Sequence, residues 1–449
     1  MSQIRQPAMA GLFYPADAGG LSAALAAHLD VPVAWPIDAK AIIAPHAGYV
    51  YSGPIAGHAY AALAHRAATI RRVVLLGPAH RLGFRGIAAP TAHAFATPLG
   101  LVPLDRPAID GLLDLPGVMF LERAFDNEHA LEVHLPFLQH VLQDFTLVPL
   151  VVGDAPPAAV EAVLERLWGG PETLIVISSD LSHYESYARA RELDGATMKL
   201  IETHRHERLQ GTFACGQRAI AGLLRRAAAL DLRVTTLDLR NSGDTAGDRE
   251  RVVGYGACAV EYAETARLPD RYRAMLHTAV RQVLDQTARQ AEIQVALDPI
   301  PAPLMSARRT FVTLRTQDGQ LRGCAGTLEE GEPLFLNVLK STIRSAAADP
   351  RFKRVSPEEA AGLQVGISIL SHERAIAAGS EQALIDSLRP GQDGLIIGDR
   401  GRQALFLPQV WDALPDPRAF VRHLKTKAGL PADHWSPSFE ARRFTAESF

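Results

Sequence analysis

The sequence predicts an α/β protein: a first part built on a mainly parallel sheet, followed by a smaller α+β part. Short apolar runs rich in Val, Ile and Leu recur along the first part, as in strands buried on both faces. They cover residues 41–43, 73–76, 147–152, 174–177 and 252–260. Helical patterns at 156–168 and 217–230 lie between them. Strands that alternate with helices favour a parallel sheet.

The pattern changes near residue 265. Residues 271–290 read as one amphipathic helix, and a Pro-rich connector follows at 298–303. Strand patterns at 309–314 and 364–370 then mix with a helix at 333–348. The length of 449 residues favours two or three domains. We therefore predict one domain over residues 1–265 and an α+β domain over 266–449.

Composition excludes several classes of function. The chain has 46 basic and 49 acidic residues, a net charge of -3, and no basic run that would bind nucleic acid or an anionic membrane. It has no apolar stretch of about 18 residues and no basic-then-apolar leader. Its three cysteines are too few and too far apart for a disulfide framework. We expect a cytoplasmic protein that acts on a small molecule or a protein.

Polar residues follow three of the predicted strands at the point where each strand ends. The first strand is followed by APHAGY with His46, the second by GPAH with His80, and the fourth by SSDLSH with Asp180 and His183. Ligands of open α/β sheets bind outside the carboxyl ends of the strands. If these strands are parallel neighbours, the four side chains converge on one crevice.

Cys215 precedes the helical pattern at 217–230, so a helix N-terminus would favour its thiolate. Two imidazoles and one anionic ligand follow the logic of non-haem Fe(II) sites; the softer sulfur suits copper, and zinc is a further candidate. Simpler interpretations stay open. They are an ordinary loop role for each His, a turn-capping role for Asp180, and a small buried side chain for Cys215.

A second polar cluster is EHALEVHLP at 128–136. At helical spacing Glu132 shares one face with Glu128 and another with His129. A carboxylate beside His129 could orient it as a general base or as a support for a metal ligand. A solvated helix face explains the same spacing equally well.

At these residues the sequence resembles the Memo family. The matching stretches are AGLFYP (10–15), APHAGY (44–49), LGPAH (76–80), residues 128–137, SSDLSH (178–183) and Cys215-Gly216. The resemblance implies a fold similar to class III extradiol dioxygenases, with His46, His80 and Cys215 at the metal-ligand positions. It places Asp180 and His183 in the same pocket, and His129 matches a recurring family position. Cys215 stands where the dioxygenases have a carboxylate, so ring cleavage does not follow.

The second part resembles the AMMECR family through LRGCAGT (321–327), AAADPRF (346–352) and residues 365–370 and 394–411. The resemblance implies a fusion of two components of the AmmeMemoRadiSam system and a radical-SAM protein as partner. From the residues alone, Arg322-Gly323-Cys324 is expected to be a turn after a strand. Arg322 could hold an anionic group and Cys324 could be reactive; the alternative is a demanding turn with a buried Cys.

The leading hypothesis is a metal-dependent redox protein. His46, His80 and Cys215 bind Fe(II), or alternatively copper, while Asp180, His183 and His129 have acid/base and supporting roles. Tyr49, Arg322 and Cys324 are the candidates for substrate binding. The rivals are a zinc hydrolase with the same ligands and a non-enzymatic binding or scaffold protein.

Overall fold

A computed structural model describes residues 4–31, 37–209, 213–263, 266–295, 300–327 and 331–449. The chain forms two compact units: residues 1–266 with 301–306, and residues 267–300 with 307–449. Thr265, where the sequence predicts the domain boundary, lies outside the described residues, as do residues 298 and 299 of the Pro-rich connector.

Strands and helices alternate along the first unit and mix along the second. The strands are β1 Ile4–Arg5, β2 Ala41–Ala44, β3 Arg72–Pro78, β4 Ile87–Ala89, β5 Ala94–Thr97, β6 Gly100–Pro103, β7 Val118–Phe120, β8 Thr146–Val152, β9 Thr173–Ser178, β10 His183–Glu185, β11 Leu232–Asn241, β12 Val252–Tyr262, β13 Thr310–Arg315, β14 Leu321–Gly326, β15 Gln364–Leu370, β16 Arg374–Ala375, β17 Gly394–Asp399, β18 Arg402–Phe406, β19 Glu440–Phe444 and β20 Ala446–Ser448. The helices are α1 Ala18–Leu29, α2 Tyr49–Ala61, α3 Arg106–Asp110, α4 His129–Glu132, α5 Leu135–Val141, α6 Pro157–Leu167, α7 Tyr187–Glu202, α8 Gln217–Leu230, α9 Asp270–Ala288, α10 Ala302–Met305, α11 Leu334–Ala347, α12 Pro357–Gly362, α13 Glu381–Ser387 and α14 Pro417–Lys427.

The first unit is built on a sheet whose central strands are parallel, which confirms the predicted α/β class. The strand order is β10-β12-β2-β9-β3-β8-β4-β7, with β11 paired to β12. Strands β2, β9, β3 and β8 are parallel neighbours, while β12 pairs antiparallel with β2. Every residue of β2 and β9 is buried, as expected for strands covered on both faces.

The order of the central strands brings three polar turns to one edge of this sheet. Strand β9 lies between β2 and β3 and runs parallel to both. The residues that follow these strands include His46, His80 and Asp180. The sequence-based expectation that these strand ends meet at one edge of the sheet is therefore confirmed for these three residues.

The second unit contains two antiparallel sheets, with strand orders β14-β13-β15-β20 and β16-β19-β17-β18. Helix α11 packs against β13 and β14. The expectation of a turn at residues 322–324 is wrong, because these residues lie within strand β14. Gly323 is needed for close approach and not for a left-handed backbone: a Cβ there would stand 2.2 Å from the Ser345 carbonyl oxygen of α11.

Within the described residues, no helix is long and apolar enough to cross a membrane.

Candidate metal centre

His46 is fixed in a single orientation by a neighbouring hydroxyl. It follows β2, is 1% exposed, and its Nδ1 lies 2.6 Å from the Ser178 Oγ. That hydroxyl donates its only proton to the Ala130 carbonyl at 2.5 Å, so it must accept a hydrogen bond from His46 Nδ1–H. Burial lowers the pKa of His46 well below its ordinary value. His46 is therefore neutral, with the lone pair of Nε2 turned toward the Cys215 sulfur at 3.3 Å.

His80 is fixed in the same way by a carboxylate. Glu128 accepts from the His80 backbone N–H at 2.7 Å and from Nδ1 at 2.9 Å. Burial alone would raise the pKa of Glu128, but the hydrogen bonds from His80 and the Ala130 N–H outweigh it and lower that pKa below its ordinary value. An ionised carboxylate on Nδ1 leaves Nε2 of His80 as the donor atom, the carboxylate–histidine arrangement common behind metal ligands.

Cys215 enters the cluster from the turn that leads into α8. Its sulfur accepts from the Asp180 backbone N–H at 3.3 Å, and its own N–H donates to the Asp180 carbonyl at 3.2 Å. Burial, with the nearby Asp180 charge, raises the pKa of the thiol to about 12. The expectation that the helix N-terminus would favour a thiolate is therefore wrong for the metal-free protein, because desolvation and the Asp180 charge outweigh the hydrogen bonds that the Asp180 and Gly216 backbone offer the sulfur.

Asp180 is a buried carboxyl group that ties two of these turns together. Its Oδ1 accepts from the His46 backbone N–H at 2.7 Å, and its Oδ2 lies 3.9 Å from His46 Nε2. Burial raises the pKa of Asp180 to about 7, despite the opposing hydrogen bonds from the His46 and Ala47 backbone. Asp180 therefore changes its protonation near neutral pH, which suits a group that exchanges protons with a substrate.

His129, at the start of α4, completes a group of three imidazoles. Its ring stacks on His80 with centroids 4.5 Å apart and lies 5.3 Å from the His46 ring. Burial, with the charge on His80, lowers its pKa to about 4, so His129 is neutral at pH 7. Its Nδ1 is buried and has no hydrogen-bond partner. That atom lies 3.4 Å from Glu128 Oε1.

The donor atoms of His46, His80 and Cys215 all lie within 4.8 Å of one another. That spacing is about twice a metal–ligand bond length of roughly 2.0–2.3 Å, so one ion can reach all three. His80, Glu128 and His129 form a second group of this kind. Glu128 is already committed to orienting His80, which makes the first group the better donor set for a transition metal.

The N-terminal segment forms a wall beside these histidines. The Phe13 ring lies 5.0 Å from the His129 ring. Glu132, which is fully buried, holds the segment by accepting from the Arg5 guanidinium at 2.7 Å, the Ala8 and Met9 backbone N–H groups at 2.9 and 2.7 Å, and the Tyr14 hydroxyl at 2.8 Å. The solvated-face interpretation of residues 128–136 is therefore wrong.

The structure does not bring every predicted residue to this cluster. His183 begins β10 and is partly exposed, but it interacts electrostatically with His46 and His80, so it lies near the cluster as predicted. Tyr49 is 4% exposed and donates from its hydroxyl to the Val133 carbonyl at 2.8 Å. Its ring packs 4.9 Å from the Phe137 ring, so it belongs to an aromatic core. Its proposed substrate contact stays a prediction.

Arg322 and Cys324 lie in the second unit, on β14. The Arg322 guanidinium is paired with Glu359 at 3.0 Å and donates to the Lys353 carbonyl at 2.9 Å, so its donors are already engaged. The thiol of Cys324 accepts a hydrogen bond from the Thr313 hydroxyl at 3.4 Å.

Two residues of the metal cluster escaped the sequence reasoning. Ser178 is the last residue of β9, and nothing in the local sequence marks it as the partner of His46. The sequence indicates Glu128 only as a neighbour of His129, whereas its partner His80 lies 48 positions away. One signal could have found it: a carboxylate in a histidine-rich stretch often supports a histidine elsewhere in the fold.

Comparison with known proteins agrees with this organisation. The profile of the Memo-like protein family matches residues 5–259, and that of AMMECR1 matches residues 276–449. A "MEMO1 family protein" of Methanosarcina acetivorans is 34% identical over 275 residues, 58% of this chain and 100% of that protein. One of Aquifex aeolicus is 34% identical over 264 residues, 56% of this chain and 97% of that protein.

Among solved structures, an uncharacterized protein of Pyrococcus horikoshii is 32% identical, with a TM-score of 0.37, covering 39% of this chain and 88% of that chain. The family profile spans more than half of the chain. The chain therefore belongs to the Memo-like protein family and carries an AMMECR1 domain after its Memo-like domain.

Proposed function

We propose that the first unit binds one transition-metal ion through His46, His80 and Cys215, and that the protein is a metal-dependent oxidoreductase. Fe(II) is the proposed resident metal, with copper as the alternative. One observation carries the proposal: two imidazoles, each with its Nδ1 engaged by a hydrogen-bond partner, have ligand atoms that lie within 4.8 Å of each other and of a single sulfur. Orientation of ligand histidines by a second hydrogen bond is typical of metal centres.

The chemistry of the donor set fits such an ion. Metals bind neutral imidazole and thiolate, and His46 is already neutral. Cys215 must lose its proton on binding. The positive charge of the ion would stabilise the thiolate, which burial destabilises in the metal-free protein. Bound there, iron or copper would supply one-electron chemistry and open positions for oxygen or substrate.

The remaining residues would handle protons and water. Asp180, with a pKa of about 7, would give or take a proton beside His46. His129, neutral at pH 7, would accept a proton from a substrate. Phe13 covers the His129 ring, which limits the access of water to that side of the site.

Exposed apolar side chains support a small-molecule or protein substrate. Leu12, Val50 and Tyr184 are 78%, 61% and 66% exposed. Leu12 is next to Phe13, Val50 follows the His46 turn, and Tyr184 follows His183. Exposed apolar side chains that form one contiguous patch are typical of surfaces that bind a ligand or a partner. The proposed help of the AMMECR1 domain in binding substrate or a radical-SAM partner stays a prediction.

The proposal is tested by metal content after anaerobic purification, with iron, copper and zinc quantified together. We expect close to one equivalent of iron or copper in the wild type and its loss in Cys215→Ala. Cys258→Ala is the matched control, because Cys258 is fully buried within β12, and it should keep the metal. Retention of metal by both Cys215→Ala and His80→Ala would end the proposal.

Zinc hydrolysis is the second candidate, because cysteine and histidine are also preferred zinc ligands. This candidate predicts that the purified protein contains zinc and neither iron nor copper, and that its spectrum does not change on adding oxygen or a reductant. Protein that fails to take up Fe(II), Cu(I) or Zn(II) would favour a binding or scaffold role for the crevice.

A further inference from the structure

Tyr60 and His134 form a hydrogen-bonded pair inside the aromatic core of the first unit. Tyr60 lies near the end of α2 and His134 lies between α4 and α5. Both are at most 1% exposed. The Tyr60 hydroxyl lies 2.7 Å from His134 Nδ1. The Phe137 ring stacks on the Tyr60 ring, with centroids 4.9 Å apart, so the phenol is covered by another aromatic side chain.

The proton of this hydrogen bond resides on the phenol. Burial raises the pKa of Tyr60 well above its ordinary value. Burial also lowers the pKa of His134 to about 3, with a smaller contribution from His129. A neutral phenol therefore donates to the lone pair of a neutral imidazole. The imidazole can take this proton when the phenol loses an electron, because the radical cation of a phenol is a far stronger acid than the phenol itself.

Two neighbouring tyrosines have partners that are less suited to accept a proton. Tyr49 donates to a backbone carbonyl at 2.8 Å, and a carbonyl oxygen is not a base at neutral pH. Tyr14 donates to Glu132 at 2.8 Å, but this carboxylate also pairs with a guanidinium and accepts from two backbone N–H groups. Protonating Glu132 would weaken those charge-assisted bonds. Of the three phenols, Tyr60 has the partner that best accepts its proton.

A series of aromatic rings connects Tyr60 to the histidine cluster. Its members are, in order, Tyr60, Phe137, Tyr49, Tyr14, Phe13 and His129. The first three ring contacts have centroids 4.9, 4.9 and 5.6 Å apart, and the last has centroids 5.0 Å apart. The remaining step joins two residues that are adjacent in the chain. Rings in contact offer a route for single electrons between Tyr60 and the site that contains His129.

We propose that Tyr60 and His134 form a redox-active pair that exchanges one electron with the metal centre. Tyr60 loses one electron to the oxidised ion, the phenolic O–H bond breaks, and the proton forms a new N–H bond at Nδ1 of His134. The products are a neutral tyrosyl radical, an imidazolium and an ion reduced by one electron. Return of the electron reverses each step. The exchange with the metal rests on the proposed function, whereas the ability of Tyr60 to form a radical does not.

The test oxidises the metal-free, full-length protein with a photo-oxidised ruthenium complex and detects radicals by electron paramagnetic resonance after rapid freezing. We expect a long-lived tyrosyl signal in the wild type and its loss in Tyr60→Phe. Tyr184→Phe is the matched control, because Tyr184 is 66% exposed, and it should keep the signal. His134→Gln should slow formation of the signal about 100-fold or more, since a positioned proton acceptor typically contributes roughly 10²–10⁴-fold.

A wild type without a long-lived signal would overturn the proposal, as would a signal that persists in Tyr60→Phe or forms equally fast in His134→Gln. If a variant does not fold, the wild type labelled with ¹⁵N-histidine decides instead, and a radical without coupling to a histidine nitrogen would overturn the pair. The link to the metal is tested separately. Bound Fe(II) should shorten the lifetime of the radical by giving it an electron, whereas redox-inactive Zn(II) should not. A lifetime unaffected by bound Fe(II) would overturn the exchange, while protein that binds no metal would overturn the proposed function and leave the radical signal as evidence for the pair.

Discussion

Metal binding at Cys215 should release a proton, so the metal affinity should rise with pH. Burial holds the pKa of the Cys215 thiol at about 12 in the metal-free protein. At pH 7 the thiol is therefore protonated, and converting it to the bound thiolate costs five pH units, about 7 kcal/mol. The ion must supply this energy, and each unit of pH increase lowers the cost by about 1.4 kcal/mol.

The slope of log affinity against pH follows from the same pKa values. His46 is already neutral, because burial lowers its pKa. It therefore releases no proton when the metal binds above pH 7. Cys215 contributes one proton throughout the range from pH 6 to 9. Asp180, whose pKa is about 7, contributes part of a second proton near pH 7 and more of it at lower pH, if the bound ion keeps it charged. We therefore expect a slope near 1 above pH 8 that becomes steeper as the pH falls toward 6.

The assay is competition for Co(II) against a chelator of known affinity, corrected for the chelator's own protonation. Cys215→Ala should bind more weakly and lose the slope above pH 8, whereas Cys258→Ala should keep both. An affinity that does not change between pH 8 and pH 9 in the wild type would refute the assignment of Cys215 as a thiolate ligand.

Three further substitutions probe contacts around and away from the site. Glu128→Gln should lower metal affinity about 10- to 100-fold, because the carboxylate that orients His80 is lost; the same competition assay measures it. Glu132→Ala should cost about 3–5 kcal/mol of unfolding free energy in urea, because buried donors lose a charged partner. Gly323→Ala should cost about 1–3 kcal/mol through overpacking, while Gly366→Ala, whose added Cβ would meet its nearest neighbour at 4.0 Å, should cost far less.

Each has an outcome that would count against the structure. Unchanged affinity in Glu128→Gln would mean that His80 needs no orienting partner. A Glu132→Ala variant as stable as the wild type would mean that the N-terminal segment is not held by this carboxylate. Equal unfolding free energies for the two glycine variants would contradict the close packing of α11 on β14.

Local patterns in the sequence predict most of the elements that position the site. The α8 helix at 217–230 and the β15 strand at 364–370 coincide with their predicted ranges, since hydrophobic periodicity is a local property. The convergence of His46, His80 and Asp180 also follows, because parallel strands end at one edge. The finding that Cys215 joins them in space agrees with what the family resemblance implies.

The remaining features depend on contacts between distant residues. The pairing of Glu128 with His80 joins the start of a helix to the end of a strand. The two residues are 48 positions apart, so sequence spacing does not predict their contact. The state of the Cys215 thiol depends on burial, which the position before a helix does not reveal. Gly323 suggests a turn at residues 322–324, whereas that glycine is required by the approach of the Ser345 carbonyl.

X-ray absorption at the iron edge of the Fe(II)-loaded protein tests the central claim most directly. We predict one sulfur neighbour at about 2.3 Å together with imidazole scattering from two histidines, and loss of the sulfur shell in Cys215→Ala. An iron environment of nitrogen and oxygen alone, identical in the wild type and Cys215→Ala, would contradict the proposed ligand set.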